Sequence, residues 1–157
     1  GFLGVIIGGW AADWLRQRNP AGRVLVIIFG AVAPVPAIVI AFTTDSLPLF
    51  YAMLFPAQAL ASCALGATAA TTQDLVLPRM RGTATATFFI ATTLIGLALG
   101  PYLAGRISTL SESLSTGVLS LLVTVPIALV SAILAYRLLP AAEASAHDRA
   151  RAAGEQF

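Results

Sequence analysis

The side chains best suited to binding a ligand lie on one face of a long apolar segment, residues 47–72. They form an aromatic, amide and hydroxyl set at the helical spacing i, i+4, i+7 and i+11: Tyr51, Phe55, Gln58 and Ser62. In a membrane-spanning helix an amide near the bilayer middle should not face lipid, so Gln58 is expected to face protein or water. The set predicts a cavity wall for an amphipathic ligand. The alternative is an interhelical hydrogen bond from Gln58, with Tyr51 at the membrane interface.

A second candidate site is a short motif at the end of the first apolar segment. It combines a glycine, a carboxylate and two guanidinium groups: Gly9, Asp13, Arg16 and Arg18. Gly8 and Gly9, with Gly4 one turn earlier, would let a neighbouring helix approach closely. Asp13 could then meet an arginine or the positive N-terminal end of another helix. The alternative is that the arginines only mark the cytoplasmic side of a membrane and that Asp13 occurs there by chance.

A third pattern, in the segment 82–105, places small residues beside a proline. The pattern consists of Gly96, Gly100, Pro101 and Gly105. Its first two glycines and Ala104 recur at every fourth residue, which makes a smooth stripe for another helix to pack against. The proline adds a kink that would help the helix to bend. The pattern therefore predicts a packing surface and a hinge; static packing without movement is the alternative.

The elements that must position these residues follow from composition and charge spacing. The chain has 157 residues, 58% hydrophobic and 10% charged, and its mean hydropathy is +0.88; a soluble domain has about a quarter charged residues. Four stretches are long enough to cross a hydrocarbon core about 30 Å thick. We expect these spans at residues 24–44, 47–72, 82–105 and 114–136. Residues 1–12 fit a truncated first span, so the chain is expected to be the C-terminal piece of a larger protein.

Every span is expected to be an α-helix, because backbone polar groups in lipid must be satisfied within the segment. The sequence therefore predicts an all-α polytopic membrane protein, with a transmembrane domain over residues 1–139. A polar tail over 140–157 follows, and its end is expected to be disordered. All nine basic residues are arginines, and eight of them lie in the first loop, in the loop after the third span, or after the fifth span. Only Arg106 lies on the other side, so the positive-inside rule places the tail and both arginine-bearing loops in the cytoplasm.

Residue types that are missing restrict the function further. The second to fifth spans contain no Asp, Glu, Lys, Arg or His, so they lack the carboxylate that a proton relay normally needs. One histidine and one apolar cysteine, His147 and Cys63, argue against a metal site. No phosphate-binding loop, nucleophile elbow or basic nucleic-acid face is present. The sequence thus predicts a protein that is not an enzyme, with no metal, no cofactor and no nucleic-acid partner.

These motifs resemble the major facilitator superfamily. Residues 9–18 are similar to its signature loop between the second and third helices of each half. The run 73–84, which contains Arg79 and Arg81, leads into the Gly100 and Pro101 pair and is similar to the Spinster-like branch. The resemblance covers the chain up to about residue 137, and the tail matches nothing.

Under this resemblance the five spans are helices eight to twelve of a twelve-helix fold, a partial C-terminal half whose N-terminal half is missing. The implied protein is a secondary active transporter of the bacterial inner membrane. It would move a small organic or amphipathic, lipid-like substrate by alternating access, coupled to protons. The gating loop would be formed by Gly9, Asp13, Arg16, Arg18, Arg79 and Arg81, and the span 82–105 would bend. Two alternatives stay open: an organic anion or drug as substrate, and a membrane scaffold that transports nothing.

Overall fold

The computed structural model describes residues 1–152, and side chains through residue 146. Within this range the chain is helical, with short turns and without a β-strand. The α-helices are α1 (Phe2–Arg18), α2 (Gly22–Val32), α3 (Pro34–Thr43), α4 (Leu47–Asp74), α5 (Arg81–Ala91), α6 (Gly100–Ser111), α7 (Leu114–Ser120) and α8 (Thr124–Ala152). Short 3₁₀ turns occupy Pro78–Met80 and Leu121–Val123, and a π-helical segment occupies Thr92–Leu99.

Four helical segments are long and apolar enough to cross a bilayer: Gly22–Thr43, Leu47–Asp74, Pro78–Ser111 and Leu114–Ala146. Each overlaps one of the four complete spans that the sequence predicts. The chain is therefore a multi-pass membrane protein, and the predicted all-α class is confirmed. The helix α1 continues to Arg18, six residues beyond the apolar stretch 1–12, so the polar motif after Ala12 is helical and not a loop.

Prolines explain where the long spans change their helical geometry. A proline has no N–H, so the carbonyl four residues earlier loses its helical donor. Three such prolines follow the irregular points of the spans: Pro36, Pro101 and Pro126. The carbonyls that they leave without a donor belong to the last residue of α2, to the π-helical segment and to the 3₁₀ turn before α8. The helical geometry therefore changes near these three prolines, whereas Pro56 and Pro140 lie inside the uninterrupted helices α4 and α8.

The helix α4 is the centre of the described structure, because α1, α2, α3 and α5 all pack against it. Its buried side faces α1 and α2, where the small residues Ala12, Val26, Cys63 and Ala67 form a core cluster. In lipid no hydrophobic driving force pulls helices together, so close backbone approach and van der Waals contact must do so. Small side chains at this cluster make that approach possible.

Two glycines set the distance between α1 and α4. A Cβ built on Gly4 would overlap the backbone oxygen of Ala59, and a Cβ on Gly8 would overlap the backbone of Cys63. A Cβ on Gly9 would meet nothing within 4 Å. The predicted close approach therefore occurs at Gly4 and Gly8, whereas Gly9 leaves room for a methyl group.

The second half of the described chain is less packed. None of the residues of α5, the π-helical segment or α6 is buried. The helix α7 meets α6 through Gly117, where a Cβ would overlap the carbonyl oxygen of Ala104. The helix α8 packs on α2 through a second cluster, Val24, Ala132 and Leu139. Large apolar side chains on α5 and α6 consequently remain open to lipid or to further helices.

The helix α8 continues through Ala152 in the region where the sequence predicts a polar tail. Ala146 within this extension and Leu139 just before it are buried, and alanine is the best helix former. The predicted tail is thus helical as far as Ala152, and the disorder expected at its end concerns the residues that follow. Residues 153–157 lie outside the described residues.

The two neighbouring glycines of α1 allow a matched stability test. Gly8→Ala is expected to lower the free energy of unfolding by about 1–3 kcal/mol, because the added methyl forces α1 away from α4. Gly9→Ala is expected to leave it unchanged or to raise it by about 0.5–1 kcal/mol, since alanine has the higher helix propensity. Denaturant unfolding of both variants in the same detergent measures the difference, and equal destabilisation would contradict this packing.

Candidate functional site

Five charged residues meet at the arginine-rich end of the bundle, where α1 and α4 finish, α2 begins and α8 leaves the span. We call them the charge network: Asp13, Arg16, Arg23, Asp74 and Glu143. They come from four different helices, so the network links elements that are distant in sequence. Three carboxylates and two guanidinium groups give the network one net negative charge.

The carboxylate of Asp74 lies at the centre of the charge network. Its Oδ2 accepts from both Arg16 and Arg23. Arg23 also donates to Oδ1 of Asp13 at 2.8 Å, and Arg16 lies 3.8 Å from Oε1 of Glu143. The side chain of Arg23 is 15% exposed and that of Asp74 21%, whereas that of Asp13 is 64% exposed. Ion pairs shielded from water in this way are stronger than surface pairs, so the inner part of the network holds the helix ends together.

The sequence identified two of the five members, Asp13 and Arg16, and it left open whether Asp13 would meet an arginine or the N-terminal end of another helix. In the structure Asp13 pairs with Arg23, which lies at the start of α2. It missed Arg23, Asp74 and Glu143 as members. Arg23 and Asp74 were visible as charges at the ends of apolar spans. Nothing in a single sequence shows that Glu143, which lies in the expected tail, comes close to Arg16 of α1.

The other predicted gating residues lie outside the charge network. The guanidinium group of Arg18 stacks on the indole of Trp14, 3.8 Å from the ring centroid. Arg79 is exposed in the 3₁₀ turn after α4, and Arg81 begins α5. Nearby, the amide of Gln73 donates to the hydroxyl of Thr85 at 3.0 Å and joins the end of α4 to α5.

A second polar contact joins the first loop to α8. The side-chain amide of Asn19 donates to the hydroxyl oxygen of Tyr136 at 3.0 Å, and its carbonyl oxygen accepts from the backbone N–H of Ala21 at 3.0 Å. One asparagine therefore shapes the turn between α1 and α2 and fixes that turn to the last helix. The arginine-rich end is thus closed by hydrogen bonds as well as by charge.

Most of the predicted cavity face is turned away from the packed core of α4, but Ser62 at its inner end lies against α1, where a Cβ on Gly4 would come within 2.9 Å of the Ser62 Cβ. Tyr51 and Phe55 are 66% and 73% exposed, Gln58 is exposed, and Ser62 is half-buried. The hydroxyl of Ser62 donates to the backbone oxygen of Gln58 at 2.7 Å. The outer part of this face is an open aromatic and amide surface.

Ring contacts hold the outer end of this face in place. The ring of Phe50 lies edge-on to Tyr51 at 5.3 Å and edge-on to Phe42 of α3 at 5.4 Å. Edge-to-face pairs at these distances are favourable. The contact chain anchors Tyr51 to the α3–α4 pair.

The predicted glycine stripe of the fourth span is uncovered. A Cβ at Gly96, Gly100 or Gly105 would meet nothing within 4 Å in the described part of the chain. Gly100 and Pro101 directly follow the π-helical segment. Such widened turns are common at functional positions in helices. The local geometry fits a bending point, and the role of these residues as a hinge stays a prediction.

Three related proteins bear on the identity of these helices. An MFS-type efflux pump of Mycolicibacterium smegmatis is 32% identical over 108 residues, 69% of this chain and 25% of that protein. A sphingosine-1-phosphate transporter of Xenopus tropicalis is 33% identical over 118 residues, 74% of this chain and 23% of the relative. Protein spinster homolog 3 of Mus musculus is 30% identical over 115 residues, 72% and 22% of the two chains. No protein-family profile matches the chain.

The chain belongs to the major facilitator superfamily. These relatives confirm the resemblance to the major facilitator superfamily that the sequence motifs indicate. They also confirm the resemblance to Spinster proteins. The chain spans about a quarter of the length of the relatives it matches. As their names state, one of these relatives is an efflux pump and another is a sphingosine-1-phosphate transporter.

The central carboxylate of the charge network can be tested by a neutral replacement. Asp74→Asn is expected to destabilise this major facilitator segment by about 1.5–3 kcal/mol, because Arg16 and Arg23 lose a charged hydrogen-bond acceptor. The matched control is Asp45→Asn, the same change at an exposed position in the turn before α4. Thermal unfolding in detergent measures both variants. Equal midpoints for the two would show that Asp74 does not hold the helix ends together.

Proposed function

We propose that this chain forms helices eight to twelve of a twelve-helix secondary active transporter. The transporter moves a small organic or amphipathic substrate by alternating access, and α4 provides part of the wall of the central cavity. The observation that carries the proposal is the two-sided character of α4. One side packs on α1 and α2, and the opposite side presents Tyr51, Phe55 and Gln58 exposed, with Ser62 half-buried beside the start of α1. A half-bundle that lacks its partner would leave this kind of face open.

The closed arginine-rich end supports the same proposal. Alternating access needs one end of the bundle to be held shut by contacts that can be broken and formed again. The charge network, with Asp13 as its exposed outer member, provides contacts of this type. The positive-inside rule places this end in the cytoplasm, and with it the helical extension of α8. A bacterial relative among the matches supports the inner membrane as the location.

Proton coupling belongs to the proposal as well. The four complete spans contain no carboxylate, so the proton-binding group would lie in other helices of the transporter. The substrate class stays broad, because an aromatic and amide face suits lipids, drugs and aromatic organic anions alike. The relatives support two probes of different chemistry: a cationic dye for an efflux pump, and a fluorescent sphingosine 1-phosphate for a lipid transporter.

The cavity face is tested in the complete protein that contains this chain. Gln58→Ala is expected to raise the KM for ethidium or for fluorescent sphingosine 1-phosphate about 2- to 10-fold, the value of one lost hydrogen bond. Tyr51→Ala is expected to act in the same direction. Gln17→Ala is the matched control, since it makes the same substitution on an exposed turn of α1 away from this face. Unchanged KM for both probes in Gln58→Ala and Tyr51→Ala, at equal amounts of folded protein, would remove α4 from the cavity.

The size of the native protein tests the twelve-helix arrangement. Twelve spans with short loops need roughly 400 residues, or about 45 kDa. An antibody against residues 141–157 should therefore detect a band near that mass in the source membrane. A band near 16.2 kDa, the mass of this chain, would favour the membrane scaffold over the transporter.

A further inference from the structure

An apolar groove runs along the outside of α1 and α2, away from the cavity face. It has a volume of about 280 Å³ and lies above the thiol of Cys63, between Ile7, Ala11 and Leu15 of α1 and Leu25 and Phe29 of α2. Ile7, Leu25 and Phe29 are all at least 40% exposed, so the groove opens outward from the described helices. From Ile7 to Leu15 it extends about 12 Å, since each helical residue advances about 1.5 Å. That is close to the depth of one leaflet of a hydrocarbon core about 30 Å thick.

Arg18 stands at the end of the groove that faces the arginine-rich loop. Leu15 and Ala11 line the groove, and Arg18 follows them at i+3 and i+7, which places it on the same face of α1. Arg16 lies on a different face and enters the charge network. Among residues with described side chains, Arg18 makes no ion pair, and its recorded partner is the indole of Trp14. An apolar groove one leaflet deep thus ends at a guanidinium group that no carboxylate neutralises.

The contact with Trp14 prepares this guanidinium group for an anion. A planar guanidinium stacked on a ring keeps its N–H donors at its edge, where they match the oxygens of a phosphate. Tryptophan is also typical of the boundary between hydrocarbon and headgroups, and Trp10 lies one turn deeper on α1. Along α1, Arg18 therefore lies where a lipid headgroup would be, Trp14 lies at the level of the interface, and the apolar groove lies at the level of the acyl chains.

We propose that the α1–α2 groove binds one acyl chain of an anionic phospholipid, whose phosphate is held by Arg18. The charge complementarity at the groove mouth favours a lipid with net negative charge over a zwitterionic one. The groove is too small for a whole helix, which has a diameter of about 10–12 Å with its side chains. The site is separate from the cavity face of α4, so it stands whether or not the chain takes part in transport.

Fluorescence quenching by brominated lipids tests the proposal directly, because the chain has only two tryptophans. In a Trp10→Phe background, Trp14 is the sole fluorophore and reports contacts beside Arg18. The chain is placed in nanodiscs of phosphatidylcholine that contain increasing fractions of brominated phosphatidylglycerol or brominated phosphatidylcholine. Half-maximal quenching is expected at about a fivefold lower fraction of the anionic lipid, the effect of one basic residue at a membrane surface.

Two variants and one control separate the parts of the site. Arg18→Gln is expected to abolish the fivefold preference for the anionic lipid. Arg106→Gln removes an arginine of α6 outside the groove and is expected to leave this preference unchanged. Ala11→Phe fills the groove and is expected to abolish the preference with Arg18 present. Circular dichroism confirms that each variant is folded. In the parent chain, excess unlabelled phosphatidylglycerol should relieve quenching about fivefold better than phosphatidylcholine, which tests the site without any substitution at Arg18.

Several outcomes would overturn the proposal. Equal quenching by both lipids in the parent chain means that no anionic site exists beside Trp14. A preference that survives Arg18→Gln assigns the headgroup to other residues. A preference that survives Ala11→Phe shows attraction to the surface without an acyl chain in the groove. Weak quenching by both lipids together with a dimeric mass shows that a second copy of the chain covers the groove.

Discussion

The close approach of α1 to α4 is the contact on which the rest of the structure depends. Gly4 and Gly8 bring the backbone of α1 against that of α4, where any larger residue would collide. Inside a bilayer, van der Waals contact replaces the hydrophobic force that packs soluble domains, so this distance largely decides whether the helices associate. Once α1 is in place, α2 can pack on both helices, and the core around Ala12 and Ala67 can close.

That packing also brings the charges together. Asp13 and Arg16 lie on the last turns of α1, Asp74 ends α4, and Arg23 begins α2, so their distances follow from the alignment of three helices. Carboxylates and guanidinium groups at the end of a span can stay hydrated or pair, and here the partial burial of Asp74 and Arg23 favours pairing. The same end of the bundle is therefore both the most polar and the most firmly connected. On the opposite face of α4, Tyr51 and Phe55 are left exposed.

The two faces of α1 show how one helix can carry two separate roles. Arg16 points into the charge network, whereas Arg18, half a turn further on, stacks on Trp14 beside an apolar groove. The sequence motif treats the two arginines as one signature, but a helix places residues two apart on different sides. Membrane helices meet protein on one side and lipid on the other, so a single motif serves both environments.

The sequence by itself determined the membrane class, the helical spans and the major facilitator resemblance, because hydropathy and charge spacing are local properties fixed by the bilayer. It also placed Tyr51 and Gln58 on one face, since helical periodicity needs no tertiary information. Only the tertiary structure decided which charges pair, because Asp74 and Glu143 reach Arg16 across many residues of intervening chain. The tail likewise needed tertiary structure, since its helix is held by contacts with the bundle that composition does not reveal.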